Sequence, residues 1–441
     1  MDSIDVLERL KNSLDKIEPI KAIGNIDTVL GLVYEISGIK LSIGDMCVID
    51  RGKDKKKVLA EVVGFKDNKI LAMALGGSEN VSSKSRVETL GEPFMVRVSN
   101  ELIGRILDGL GFPIDERGPI NGEKYPIYRE PPHPLLRKRV TEPLSVGIRA
   151  IDGLLTIGKG QRIGIFAGSG IGKSTLLGMI ARNTVAEVNV IALIGERGKE
   201  VRDFIERDLK EEGLKRSVVV VVTSDQEPLL KVKGALVATA IAEFFRDSGK
   251  DVLFMMDSVT RFAMAQREVG LAIGEPSATK GYTPSVFSLL PKLLERAGRG
   301  KKGSITALYT VLVEGDDMSE PIADAVRSIL DGHIVLSRSI ASRNHYPPID
   351  ILNSVSRAMI DIVSKDHLMA AGKIREILET YRTSEDLINI GAYSSGSNPK
   401  IDKAISMIDE VNNFLKQGIE EKAPFDETLN KLMELAARSG I

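Results

Sequence analysis

Tryptophan is absent from this 441-residue chain, cysteine occurs once and histidine four times. With aromatic residues at 5%, there is little from which to build a stacking platform for single-stranded nucleic acid. Cys47 alone excludes an intramolecular disulfide framework and a cysteine-based metal cluster, and it reads as a buried core thiol. No stretch approaches the roughly 20 consecutive apolar residues that cross a bilayer. The first twenty residues carry charges throughout, so neither a secretory signal nor a membrane span is expected. An excess of one charge is missing too: 60 Lys and Arg stand against 61 Asp and Glu, so no global field favours nucleic acid or an anionic membrane. Internal repeats and low-complexity tracts are also lacking.

What is present is ordinary globular material, 43% hydrophobic and 27% charged, at a length of about three domains. Ile4, Leu7, Leu10, Leu14 and Ile17 recur at spacings of three and four, which predicts an amphipathic helix over residues 1–20. Its apolar stripe suits either its own domain or a partner protein. Residues 21–98 change to short β-rich runs, such as 28–34, 58–63 and 70–74, broken by Gly, Asp and Asn turns, which predicts a small β-barrel. The basic run 51–57 falls at a turn between two such strands. Residues 99–145 hold a cluster of prolines and read as an extended linker. Over 146–375, apolar runs at 162–166, 188–194, 217–223, 252–256 and 305–313 alternate with helical patterns. That predicts an α/β domain with a parallel sheet buried on both faces. Residues 376–441 read as a helical domain, marked by Leu387, Ile401, Ile405, Ile408, Val411 and Leu415.

The chemistry concentrates at 163–180, where a buried run, a glycine loop and a helical pattern follow one another. Gly168, Gly170 and Gly172 let successive amides of Gly168, Ser169, Gly170, Ile171 and Gly172 turn toward phosphate oxygens. The helix opening at Lys173 adds its positive dipole end. Lys173 is expected to reach the β and γ phosphates of a bound nucleotide, and the Ser174 hydroxyl, followed by Thr175, to sit on Mg²⁺. Ala167 stands where the usual pattern begins with Gly; the position mainly needs a small side chain.

Two carboxylates follow buried runs and would arrive at the carboxyl edge of the sheet. Asp257 is expected to hold Mg²⁺, and Glu196 to orient or deprotonate the attacking water. Arg197 and Arg261 beside them offer positive charge for the γ-phosphate. His333 and His345 are too isolated to suggest a metal site and read as structural.

Together these residues resemble the hexameric rotary-type ATPases, and among them most closely the flagellum-specific and type III secretion export ATPases. The resemblance covers nearly the whole chain. It rests on Ala-Gly-Ser-Gly-Ile-Gly-Lys-Ser at 167–174, Ile-Gly-Glu-Arg-Gly-Lys-Glu-Val at 194–201, and the segments 257–268 and 274–287. His-Tyr-Pro-Pro-Ile-Asp at 345–350 and Ser-Arg-Ala-Met at 356–359 complete it. The resemblance implies a RecA-like P-loop fold for the central domain, Glu196 as catalytic carboxylate, and Arg357 as an arginine inserted into a neighbouring subunit's site. It implies that Tyr346 stacks on adenine and that 274–287 faces a central channel. By the same resemblance, the protein is a cytoplasmic homohexamer at the inner face of the membrane. Its implied partners are export substrates with their chaperones, a regulatory or stator protein at the N-terminal helix, a central stalk and the export gate, with no nucleic acid.

A catalytic subunit of a rotary ATP synthase or ion-pumping ATPase shares this chemistry. Segments 196–204 and 274–284, and a terminal domain without a strongly acidic loop, resemble the export branch instead. An RNA translocase would need a basic, aromatic-bearing barrel, and a non-catalytic ring subunit would be expected to lack the acid at 196.

Overall fold

The computed structural model describes residues 22–52, 57–77, 81–313, 315 and 317–439. The helix expected over 1–20 and the middle of the basic run 51–57 therefore lie outside the described residues. The first compact unit ends at Phe94, and Leu271–Glu275 group with it; the remaining residues from Met95 onward form the second.

In the first unit, β1 (Ile23–Leu30), β2 (Val33–Ser37), β3 (Asp45–Ile49), β4 (Val58–Lys66), β5 (Lys69–Ala74) and β6 (Arg86–Pro93) close into a barrel in the order β1-β2-β5-β4-β3-β6. Pairing of β1 with β6 removes the free edges. Alternate residues point inward, so Ile26, Tyr34, Ile36, Ile49, Val62 and Val87 form the barrel core. Cys47 on β3 is fully buried among them, and burial pushes its thiol pKa up to about 12. The run 28–34, read as one strand, is instead the hairpin between β1 and β2. Gly31, at φ +59°, makes the turn that apolar content concealed.

In the second unit, β7 (Met95–Val98) pairs with β9 (Glu123–Pro126) in a small antiparallel ribbon, and β8 (Ile106–Leu107) lies between them in the chain. The large sheet continues with β10 (Arg162–Ala167), β11 (Val188–Glu196), β12 (Ser217–Thr223), β13 (Asp251–Asp257), β14 (Gly298–Arg299), β15 (Ser304–Leu312), β16 (Gly332–Leu336) and β17 (Ile349–Ser356). Its order is β17-β16-β10-β15-β13-β11-β12-β8, with β14 paired to β15. The pairs from β16 across to β8 are parallel, while β17 runs antiparallel at the edge.

Part of the stretch read as a linker thus belongs to the sheet, since β8 pairs with β12. Two apolar residues are too short a signal to announce a strand, but they satisfy an edge that would otherwise stay open. Arg105 and Asp115, 2.7 Å apart and both nearly buried, clamp that segment. The helix Pro228–Asp247 packs on β11, β12 and β13.

The terminal helices are Lys365–Asn389, Pro399–Leu415 and Phe425–Arg438, each packing on the helix Arg149–Leu154. The first runs through position 375, where the sequence pattern placed a boundary, because the capping Ser364 starts it earlier. In Pro399–Leu415 the buried face is Ala404, Met407, Val411, Phe414 and Leu415. Ile405, at 38% exposure, and Leu387, at 49%, lie off the core. The alanine and methionine, not the isoleucines, mark the stripe.

Candidate functional site

β10 ends at Ala167, and the chain turns through the glycine loop before the helix Lys173–Asn183. Gly170 and Gly172 adopt φ of +78° and +92°, a region that L side chains avoid, so the loop's conformation depends on these two residues. Ile171 is buried at 3% exposure and anchors the loop from beneath. Ser174 and Thr175 open the helix beside Lys173. The Ser169 carbonyl accepts a hydrogen bond from the Arg338 guanidinium at 3.3 Å.

β15 separates β10 from β13, and the sheet register brings Glu196 and Asp257 to the same carboxyl edge as the loop. Lys173 Nζ donates to Asp257 Oδ1 at 2.5 Å and lies 3.6 Å from Glu196 Oε1. Thr310, on the intervening β15, donates to the same Asp257 oxygen at 2.7 Å. One ammonium and two carboxylates therefore converge where the loop opens. Burial opposes the charge on Lys173, yet Asp257 and Glu196 raise its pKa, so it stays an ammonium.

Burial, then the negative charge of Asp257, pushes Glu196 up to about 7, against the pull of Lys173. A protonated Glu196 accepts no proton from water. If it is the base, kcat/KM for ATP hydrolysis should climb from about pH 6 through 7 and level by about pH 8. A flat profile across that window would remove its ionisation from the rate.

Glu196 Oε1 is buried without a hydrogen-bond partner, and so is Arg261 Nε. Arg261 lies against Gly195, whose added β-carbon would stand 2.9 Å from the arginine Cβ. These orphaned polar atoms, with two carboxylates against one ammonium, fit a hydrated divalent cation and a phosphate tail. Ser174 opens the helix beside Lys173, and Asp257 lies at the mouth of the loop; these are the two residues expected from the sequence to hold Mg²⁺.

Tyr346 reaches the loop from a distant part of the chain. The residue is 46% exposed, and its ring stands 3.8 Å from where a β-carbon on Gly172 would lie. Its carbonyl accepts from the Gln417 amide at 2.9 Å, and Gln417 in turn holds Arg149 N and Gly147 O. An open apolar face beside the phosphate loop suits a stacked base.

Two of the expected residues are not brought to this cluster. Arg197 points outward, with its side chain 79% exposed and paired with Glu200 at 3.5 Å. Arg357 follows β17, at the end of the sheet opposite the phosphate loop, beside Gly332 and Asp331. Within one chain it therefore cannot meet its own Lys173. His333 Nε2 lies 3.1 Å from the Asn353 carbonyl, and burial lowers the pKa of His345 to about 4.

Sequence reasoning missed Thr310 and Arg338. Thr310 was detectable as a polar residue inside the buried run 305–313; nothing in the sequence singles out Arg338. A cavity of about 440 Å³ beside Ala167 and Gly168, with Arg327, His333, Asp350 and Asn353 on its wall, was also not anticipated.

Comparison with known proteins agrees with this architecture. Residues 26–91 match the beta-barrel domain of the ATP synthase alpha/beta family, and 147–356 match its nucleotide-binding domain. Residues 363–434 match the T3SS EscN ATPase C-terminal domain. The chain is 53% identical to the flagellum-specific ATP synthase of Bacillus subtilis, over 97% of this chain and 98% of that protein. It is 50% identical to a type 3 secretion system ATPase of Xanthomonas euvesicatoria, over 93% of each. The assembled ATPase EscN of enteropathogenic E. coli superposes with a TM-score of 0.87 at 45% identity, covering 94% of this chain and 100% of that one. The terminal domain and the named relatives favour the export branch over a rotary synthase subunit. With barrel, phosphate loop and terminal helices all matched along its length, this chain belongs to the flagellar and type III secretion ATPases of the ATP synthase alpha/beta family.

Proposed function

We propose that this chain is the ATPase that energises protein export through a flagellar type III apparatus, releasing substrates from chaperones and loading them at the export gate. It hydrolyses ATP to ADP and phosphate. The observation that carries the reading is the convergence of Lys173, Glu196 and Asp257 at the mouth of a glycine loop.

Loop amides 168–172 and Lys173 bind the phosphates, and Tyr346 stacks on the adenine. Ser174 and Asp257 hold Mg²⁺, which when bound offsets the negative charge of the phosphate tail. Thr310 fixes the orientation of Asp257 by donating to Oδ1. Glu196 accepts the proton of the attacking water, or aligns it, at Oε1, which has Lys173 Nζ at 3.6 Å and no hydrogen-bond partner. Arg261 supplies charge near the γ-phosphate. Arg197 joins only by swinging inward from its exposed position.

Arg357 serves the site of an adjacent subunit in a homohexamer, because its place at the far end of the sheet denies it the local one. EscN has been solved both assembled and in complex with its central stalk EscO, which supports a ring with a stalk partner here. No helix among the described residues is long and apolar enough to cross a membrane. We place the ring at the cytoplasmic face of the inner membrane, held there by partners, with the regulatory or stator protein at residues 1–20.

Affinity recovery from the native cell tests the export assignment. Export chaperones and gate proteins are the expected companions; ion-translocating subunits in their place would move the chain to the synthase branch.

A further inference from the structure

Arg357 is held at two points by consecutive carbonyls. Its amide donates to the Asp331 carbonyl at 3.0 Å, and its guanidinium donates to the Leu330 carbonyl at 3.3 Å. The peptide that bears these acceptors is itself gripped. The Asp331 carboxylate accepts from Arg162 at the amide, 3.1 Å, and at Nε and Nη2, each 3.0 Å. Gln161 Nε2 donates to the Asp331 carbonyl at 3.2 Å and to Ser356 Oγ at 3.1 Å, tying the facing ends of β16 and β17 together.

The series continues outward from Arg162. Its side chain is only 13% exposed, and Nη1 meets Glu295 at 2.5 Å. Glu295 ends the helix Pro284–Leu294 and also meets Arg137 at 3.0 Å. A planar guanidinium bound at two points fixes angle as well as distance, so the Leu330–Asp331 peptide has little freedom to turn. A long side chain that must act across a boundary otherwise loses rotamer entropy on docking, and small misplacements are costly in rate.

We propose that Asp331, clamped by Arg162, is a positioning residue that presets Arg357 for the neighbouring subunit's site, with Glu295 tying the clamp to the end of the helix Pro284–Leu294. The inference rests on the trans role of Arg357 proposed above. The end of that helix is thereby joined to the arginine through the side chains of Glu295, Arg162 and Asp331 and, in the last link, through the Leu330 and Asp331 carbonyls.

A double-mutant cycle on the assembled protein tests it, reading kcat and KM for wild type, Asp331→Asn, Arg357→Ala and the pair. Asp331→Asn should lower kcat about tenfold or more, with KM for ATP within about twofold. In the Arg357→Ala background the same change should cost less than about twofold, since no guanidinium remains to be aimed. Arg162→Lys, which keeps the charge and loses the two-point grip, is run through the same cycle, so poor folding of Asp331→Asn does not decide the result. Unchanged kcat, or an equal loss in both backgrounds as a purely structural pair would give, overturns the positioning role alone. Full activity in Arg357→Ala overturns the trans role and this inference with it.

Discussion

Glu196→Gln should abolish steady-state ATP hydrolysis while magnesium nucleotide still binds. The amide keeps the size of the side chain and its place at the end of β11, but it accepts no proton from water. General-base contributions of this kind are worth about 10²- to 10⁴-fold. Neutralising Glu196 also removes one carboxylate from beside Lys173 and leaves Asp257, at 2.5 Å, as the partner that keeps the ammonium charged. Titration calorimetry should therefore show binding retained in Glu196→Gln and lost in Lys173→Ala, whose phosphate contacts disappear. Hydrolysis surviving in Glu196→Gln would take this residue out of the mechanism. Equal heats from wild type and Lys173→Ala would mean that no phosphate tail enters the loop.

The second large effect concerns assembly. Arg357 lies at the opposite end of the sheet from Lys173, so in the proposed mechanism a lone chain has the glycine loop and Glu196 but no Arg357 guanidinium at its γ-phosphate. An arginine supplied across a boundary contributes about 10³-fold or more in known phosphoryl-transfer systems, equivalent to about 4 kcal/mol of barrier. Hydrolysis per chain should rise steeply as the protein is concentrated from dilute solution. Arg357→Ala should abolish that rise and hold kcat near the dilute value, with nucleotide binding intact. Specific activity that stays flat from dilute monomer upward would place all the catalytic groups within one chain and contradict the trans arrangement.

These two expectations differ in how visible they were before the fold was known. The phosphate loop is local chemistry. Gly170 and Gly172 stand at the positive φ values that their spacing implies, and Lys173 opens a helix directly after them. Glu196 and Asp257 were legible because each closes a long apolar run, and a parallel sheet delivers such residues to one edge. The barrel was legible as a class through its short alternating strands, yet the β1–β2 turn was hidden where Gly31 interrupts an otherwise apolar run. In Pro399–Leu415 the markers Val411 and Leu415 are buried as their spacing implies, but Ile405 is exposed and Ala404 and Met407 fill the stripe instead, because the burial of each turn is set by the helices packed on it.

The order of residues along the chain was enough to establish a phosphate-binding α/β core behind a barrel and ahead of helices, because glycine spacing and hydrophobic period act over short distances. It could not say that Thr310 would hold Asp257, that Arg197 would face solvent, that Tyr346 would lie on Gly172, or that Arg162 would grip Asp331 behind Arg357. Those relations join residues that are far apart in the chain. They exist only once strand order and register have been chosen, and that choice is made by the packing of the whole sheet.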